Sequence, residues 1–300
     1  MGFLSAMKAN KAHRLQQQGK REEAIRLYEE AFAEGLKEPR FLLAYALLII
    51  RDGQYQKARE FLVANQKVPM APNQRTELLV YYAACCYKLG NTDKGISVLE
   101  QQFRKTETGL LYQTLGYLYA DKYDMEHRPD FAAIAAEAEA EAAQKAEEAA
   151  ADAEQQTEEA TADAEQPQEN AGEAPAEDAQ EPVLTPEEAW NAGMDKAEEF
   201  IRKSVEYDEE DPVCLDNMGE FLYRARGDKA AAREWFDKAI AIKENQIDTL
   251  YFLSRYDLEA GDRKAALEKL EKAAEGRFSP LNYCDKEMIQ QEIEQLKGAL

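Results

Sequence analysis

A motif that recurs five times constrains this chain more than any other feature. The segments "GKREEAIRLYEEAF", "GQYQKAREFLVANQ", "GNTDKGISVLEQQF", "GDKAAAREWFDKAI" and "GDRKAALEKLEKAA" open on Gly19, Gly53, Gly90, Gly227 and Gly261. Each glycine is followed by a small residue, then a large apolar one four later, and usually a second small one three after that. The triplets are Ala24-Tyr28-Ala31, Ala58-Leu62-Asn65, Gly95-Leu99-Gln102, Ala232-Phe236-Ala239 and Ala266-Leu270-Ala273. Spacings of four and three put all three members on one helix face, where small residues admit a close neighbour and the large one fills the gap. Another helical pattern precedes each triplet, with its own small residue twelve back (Ala12, Ala46, Ala83, Ser254) or thirteen back (Gly219). The glycine between the two patterns suits a left-handed helix terminus. The unit is a helical hairpin, recurring after 34 residues (Ala24 to Ala58), 37 (to Gly95) and 34 (Ala232 to Ala266).

Paired helices at a period near 34 resemble the tetratricopeptide repeat. "LGYLY" (115–119) and "MGEFLY" (218–223) are similar to its Leu-Gly-x-x-Tyr signature, and "AREWFDKAIAI" (232–242) to its second helix. The departures are mainly Asn65, Gly95 and Gln102, where the family prefers Ala. The resemblance covers nearly all of the chain outside 125–186. It implies an all-α fold: a right-handed helical-hairpin solenoid of about six repeats, at 5–38, 39–74, 75–107, 108–124 with 187–210, 211–245 and 246–279. A C-terminal capping helix around Met288, Ile289, Ile293 and Leu296 closes the last apolar face, because each repeat buries its face only on a neighbour.

Repeat four is split. The partner of Gly116 is expected near residue 128, but the fitting triplet is Ala197-Ile201-Ser204, 81 residues on instead of 12. The chain thus divides into 1–124 (repeats one to three and the first helix of repeat four), an acidic Ala/Glu-rich insert at 125–186, and 187–300. Lengthening a short turn by about 70 residues costs roughly 2.5 kcal/mol. Burying Trp190, Phe200, Ile201 and Val205 offers ~1.5–3 kcal/mol each before entropy, so pairing is expected to win. From Ala135 to Pro182 there is no Val, Ile, Leu, Met, Phe, Trp or Tyr, and such a stretch forms no core of its own. Its Ala-rich part (131–160) favours fluctuating helix, and disorder is expected from about 161.

The net charge of −22 is uneven: +3 over 1–130, −15 over 131–182 and −10 over 183–300. No Lys/Arg cluster suited to a phosphate backbone exists, which argues against nucleic acid. Cys85, Cys86, Cys214 and Cys284 lack disulfide-framework or zinc spacing and read as reduced core residues of a cytoplasmic protein. "MGFLSAMKANKAHR" predicts no secretory leader, and Ala6 stands where a myristoylation motif needs Ser or Thr. The longest apolar run, "FLLAYALLII" at 41–50, is ten residues, half of what a membrane span needs. His13 and His127 have no ligand partner at i+4, and no phosphate loop is present. No catalytic residue, metal site or cofactor is expected.

What remains is recognition of a protein or peptide partner. In tetratricopeptide arrays the first helix of each pair lines a concave groove, and the resemblance places Arg40, Leu43, Leu47, Arg51, Val80, Tyr87, Lys88, Gln113, Tyr117, Asp216, Glu220, Tyr223, Tyr251 and Arg255 there. The family's Lys/Asn clamp for chaperone tails is absent: Ala9, His13, Leu43, Leu47, Val80 and Ala84 occupy its faces. The expected function is a non-enzymatic binding scaffold, modulated by the acidic insert competing for an N-terminal groove that carries Arg40, Arg51 and Lys88. The alternative is a structural subunit that self-associates or fills its groove within a larger complex.

Overall fold

The computed structural model describes residues 3–159 and 184–299. The segment expected to be disordered from about 161 lies outside the described residues. Everything regular within them is helical, without a strand. The helices fall into pairs: α1 (Phe3–Gln17) with α2 (Arg21–Ala33), α3 (Pro39–Arg51) with α4 (Tyr55–Ala64), and α5 (Pro72–Lys88) with α6 (Thr92–Phe103). After α7 (Gly109–Lys122) come α8 (Phe131–Glu159) and α9 (Pro186–Tyr207). Then follow α10 (Pro212–Arg224) with α11 (Lys229–Ile242), α12 (Ile247–Glu259) with α13 (Arg263–Ala274), and α14 (Lys286–Ala299). No helix among the described residues is long and apolar enough to cross a membrane.

Local chemistry sets the helix ends. Gly53, at φ +76°, lets its own N–H donate to the Ile50 carbonyl (3.0 Å) while the next N–H reaches Ile49 (2.9 Å). This closes α3 with the left-handed turn that only glycine adopts without strain. Pro39, Pro72 and Pro212 start their helices where no N–H is needed. The carboxylates of Asp211, Asp228 and Asp262 accept the N–H groups of Val213 (2.9 Å), Ala231 (3.0 Å) and Ala265 (2.9 Å), each satisfying an otherwise orphaned donor.

The chain separates into two compact units, Met1–Glu126 with Gly193–Leu300, and His127–Ala192. In the first, the large triplet members Tyr28, Leu62, Leu99, Ile201, Phe236 and Leu270 are all 0% exposed, as are Ala24, Ala58, Ala197, Ala232 and Ala266. Each large side chain is worth about 1.5–3 kcal/mol of burial. The family departures are accommodated locally. Asn65 caps α4 by donating to the Phe61 carbonyl (2.8 Å), and the buried Gln102 amide faces the Thr76 hydroxyl at 3.4 Å. Gly95 lies so close to α5 that a Cβ would meet the Ala83 carbonyl at 3.1 Å.

Helices α7 and α9 meet despite the insertion between them. A Cβ on Gly116 would lie 2.7 Å from Ile201 Cγ1, and the Phe200 ring sits between Tyr112 (6.1 Å) and Tyr119 (5.9 Å). Lys196 reaches back to Glu100 and to the Tyr119 hydroxyl (2.8 Å).

In the second unit, α8 covers the Ala-rich part of the insert. Asp130 caps it, accepting from the N–H groups of Ala132 and Ala133 (both 3.1 Å). Phe131 packs on Trp190 with ring centroids 6.2 Å apart, and Arg128 pairs with Glu187 at 3.3 Å. Thr185 and Glu188 form a reciprocal capping box at the start of α9.

Candidate functional site

The turns within the α1–α2, α3–α4, α5–α6, α10–α11 and α12–α13 hairpins are short, but α13 and α14 are joined by the longer segment 275–285, which crosses onto other helices. The Asn282 amide donates to Asp248 (2.6 Å), as do the Cys284 N–H (3.2 Å) and thiol (2.9 Å). Leu281 packs against the cluster that includes Val80, Tyr117 and Met218. The Tyr283 ring lies 5.6 Å from Tyr251 and 5.1 Å from Phe252, with the Arg224 guanidinium 4.1 Å over it.

Beside this segment Asp216, Glu220 and Asp248 are 1%, 3% and 2% exposed. Asp216 accepts from the Thr249 hydroxyl and from Gln246 (3.3 Å). Arg224 holds Asp121 (3.0 Å) and Asp124, and comes within 3.7 Å of Glu220. Burial, then the nearby Asp248 charge, pushes the Asp216 carboxyl up to about 8. The same two causes raise Glu220 well above the ordinary carboxylate range, with Asp216 adding to them, and burial raises Asp248.

The groove positions named from sequence fall into three groups. Arg40 and Arg51 are exposed, and Leu47, Tyr87, Lys88, Gln113, Tyr223 and Arg255 are half-buried. Leu43, Val80, Tyr117, Asp216, Glu220 and Tyr251 are buried. The structure brings several together. Tyr87 meets Tyr117 edge-on at 5.8 Å with their hydroxyls 3.4 Å apart. Tyr251 and Arg255 both face Glu292 of α14, and Gln113 donates to Asp211 (3.1 Å). Arg40 stays apart, paired with Glu38 at 3.0 Å and lying over Phe41.

Arg51 opens onto a cleft of about 460 Å³ whose lining includes His13, Arg21, Arg277, Phe278 and Lys286. Four cations line it and no carboxylate does, although Arg21 also reaches Asp52 at 3.1 Å. The Arg51 pKa is lowered, first by desolvation and then by the facing Arg277 charge. Arg51 and Arg277 thus face like charge, while Arg21 is paired with Asp52. Of this set only Arg51 is among the groove positions named from sequence. Arg277 and Lys286 sit in and beside a connection too long for a hairpin turn, and that length is the signal in the sequence. Asp248 carries a subtler one: it lies 32 positions after Asp216, close to one repeat further on.

A family model described as anaphase-promoting complex, cyclosome, subunit 3 matches residues 17–102. No curated protein matches the chain in sequence. Among solved structures, a thermophilic TPR protein from Thermus thermophilus aligns with a TM-score of 0.54 at 14% identity, over 87% of this chain and 99% of its own. The structure of the APC/C hetero-tetramer Cut9–Hcn1 aligns with a TM-score of 0.53 at 13% identity, over 96% of this chain and 42% of that one. At such identities the likeness is one of fold, and it coincides with the hairpin turns and small–large–small faces described above. By those features and these likenesses, the chain has the fold of tetratricopeptide repeat proteins.

Proposed function

We propose that the chain is a protein-interaction scaffold that takes an acidic peptide segment of a partner in the cleft lined by Arg21, Arg51, Arg277 and Lys286. Folds of this kind typically serve as non-enzymatic scaffolds, and related proteins bind protein partners. The observation that carries the reading is the cleft itself: about 460 Å³, four cations and no lining carboxylate. A carboxylate-bearing ligand relieves the Arg51–Arg277 repulsion, and guanidinium groups bind carboxylates in a two-pronged fashion. Phe278 and Leu48 supply apolar surface beside the charges, as peptide sites commonly do. The insert bears on affinity through its field, since a net −15 over 131–182 opposes any acidic ligand.

Fluorescence anisotropy of a labelled Glu-rich 12-residue peptide tests this on the full chain. Arg51→Glu and Arg277→Glu are each expected to weaken binding about tenfold or more at low salt. A chain lacking 131–182 binds more tightly at 0.1 M salt and no more tightly at 1 M, where the Debye length falls from about 10 Å to about 3 Å. Undiminished binding by both charge-reversal variants overturns the cleft as the site. Tighter binding of a single-stranded oligonucleotide than of the peptide overturns the ligand class.

A further inference from the structure

The chemistry around segment 275–285 is unbalanced in charge. Asp121, Asp124, Asp216, Glu220 and Asp248 gather near Arg224 and Lys88. Arg224 is committed to Asp121 of α7 and to Asp124 just beyond it, and approaches Glu220 only at 3.7 Å through Oε2. Three carboxylates are left facing one another: Asp216, Glu220 and Asp248 each present an oxygen within 4.8 Å of the other two.

Two of the three are held from behind. Thr249 and Gln246 donate to Asp216, while Asn282 and Cys284 donate to Asp248. Glu220 is different. Its Oε1 is buried and has no hydrogen-bond partner, and the residue as a whole is only 3% exposed. A buried carboxylate oxygen without a donor is expensive. The surrounding side chains direct their donors at the two aspartates, in the manner of groups that orient metal ligands from a second layer.

The donor set consists of hard carboxylate oxygens, which suit Ca²⁺, Mg²⁺ or Mn²⁺ over softer metals. Of these, Ca²⁺ takes oxygen ligands at about 2.3–2.6 Å and accepts irregular carboxylate cages. Mg²⁺ keeps several waters, for which a site between residues 1–3% exposed has little room. We propose that Asp216, Glu220 and Asp248 form a Ca²⁺-preferring divalent-cation site. The ion bridges α10 and α12, and through Asp248 it fastens segment 275–285 in place. Because that segment supplies Arg277 and Phe278 to the cleft, occupancy of the cation site also sets the cleft wall.

The test uses the full chain, stripped with chelator and then titrated with CaCl₂, MgCl₂ and MnCl₂ separately while thermal unfolding is followed. At a hundredfold excess over its dissociation constant, Ca²⁺ is expected to raise Tm by roughly 5–10 °C, saturably, and Mg²⁺ by less. Glu220→Gln abolishes the rise while keeping the helical circular dichroism of the parent. Should that variant fail to fold, Tb³⁺ emission sensitised by the neighbouring Tyr117 and Tyr283, displaced by Ca²⁺, gives the same reading on the unmodified chain. The proposal is overturned if no divalent cation moves Tm and Tb³⁺ emission stays at background, for then shared protons alone balance the three carboxylates. An equal Ca²⁺ response in Glu220→Gln overturns the assignment as well.

Discussion

Gly116→Ala is the sharpest probe of whether repeat four closes across its insertion. The added Cβ would sit 2.7 Å from Ile201 Cγ1, 3.1 Å from the Ile201 backbone nitrogen and 3.3 Å from its Cα. Rotating the Ile201 side chain relieves only the first contact; the other two require α9 to move away from α7. Overpacking of this kind costs about 1–3 kcal/mol, while replacing glycine by alanine inside a helix contributes about 0.8–1 kcal/mol in the opposite direction. The net expectation is a loss of about 1–2 kcal/mol, read from urea unfolding followed by the fluorescence of Trp190 and Trp235. Gly298→Ala serves as control, because a Cβ there meets nothing within 4 Å, and it should be neutral or slightly stabilising. Ile201→Ala by itself should cost about 2–5 kcal/mol. In that background Gly116→Ala should cost about 1 kcal/mol less than it does alone, a coupling that only contacting residues show. A Gly116→Ala chain as stable as its parent, with additive behaviour in the double variant, would refute the α7–α9 contact.

Two further expectations concern buried groups. Burial pushes the Cys85 thiol up to about 12 and Cys214 up to about 11, and raises Cys86 and Cys284 too, so none carries thiolate at neutral pH. A thiol reagent at pH 8 should therefore label no cysteine in the native chain and four after unfolding; fast native labelling of any one contradicts the burial. Burial alone would raise the Glu100 carboxyl, but hydrogen bonds from Lys196 and Tyr119 outweigh it and hold Glu100 below its ordinary value. A depressed folded-state value means that this stabilisation is complete above about pH 4.3, the unfolded value, and disappears as pH falls through the folded one. Because Lys196 is 42% exposed, the contribution is below about 1 kcal/mol. Lys196→Met should flatten the acid limb of Tm between pH 5 and 3, and superimposable limbs would count against it.

The hairpins were legible in the sequence because a tetratricopeptide face is a local code. Three residues at spacings of four and three suffice, and Ala197-Ile201-Ser204 could be matched to Gly116 across the insertion by that rule alone. Segment 275–285 was not legible by the same means. It has no period, and its contacts, such as Asn282 to Asp248 and Cys284 to Asp248, span 34 and 36 positions. For that reason Asp216 and Glu220 read as outward groove positions, whereas the structure buries both beneath that segment's neighbours. Arg51 could be named from its position on α3. The cleft it joins could not, since Arg277 and Lys286 arrive from the far end of the chain.

The placement of Gly116 against Ile201 has a consequence in time. A ribosome adding about 5–20 residues per second needs roughly 4–17 s to travel from one to the other, whereas a hairpin with an ordinary turn waits roughly 1–3 s. During that interval the nascent chain holds Leu115, Leu118 and Tyr119 of α7 without Phe200 and Ile201. The fourth hairpin is thus the one that waits longest for its second helix, with the apolar face of α7 uncovered meanwhile.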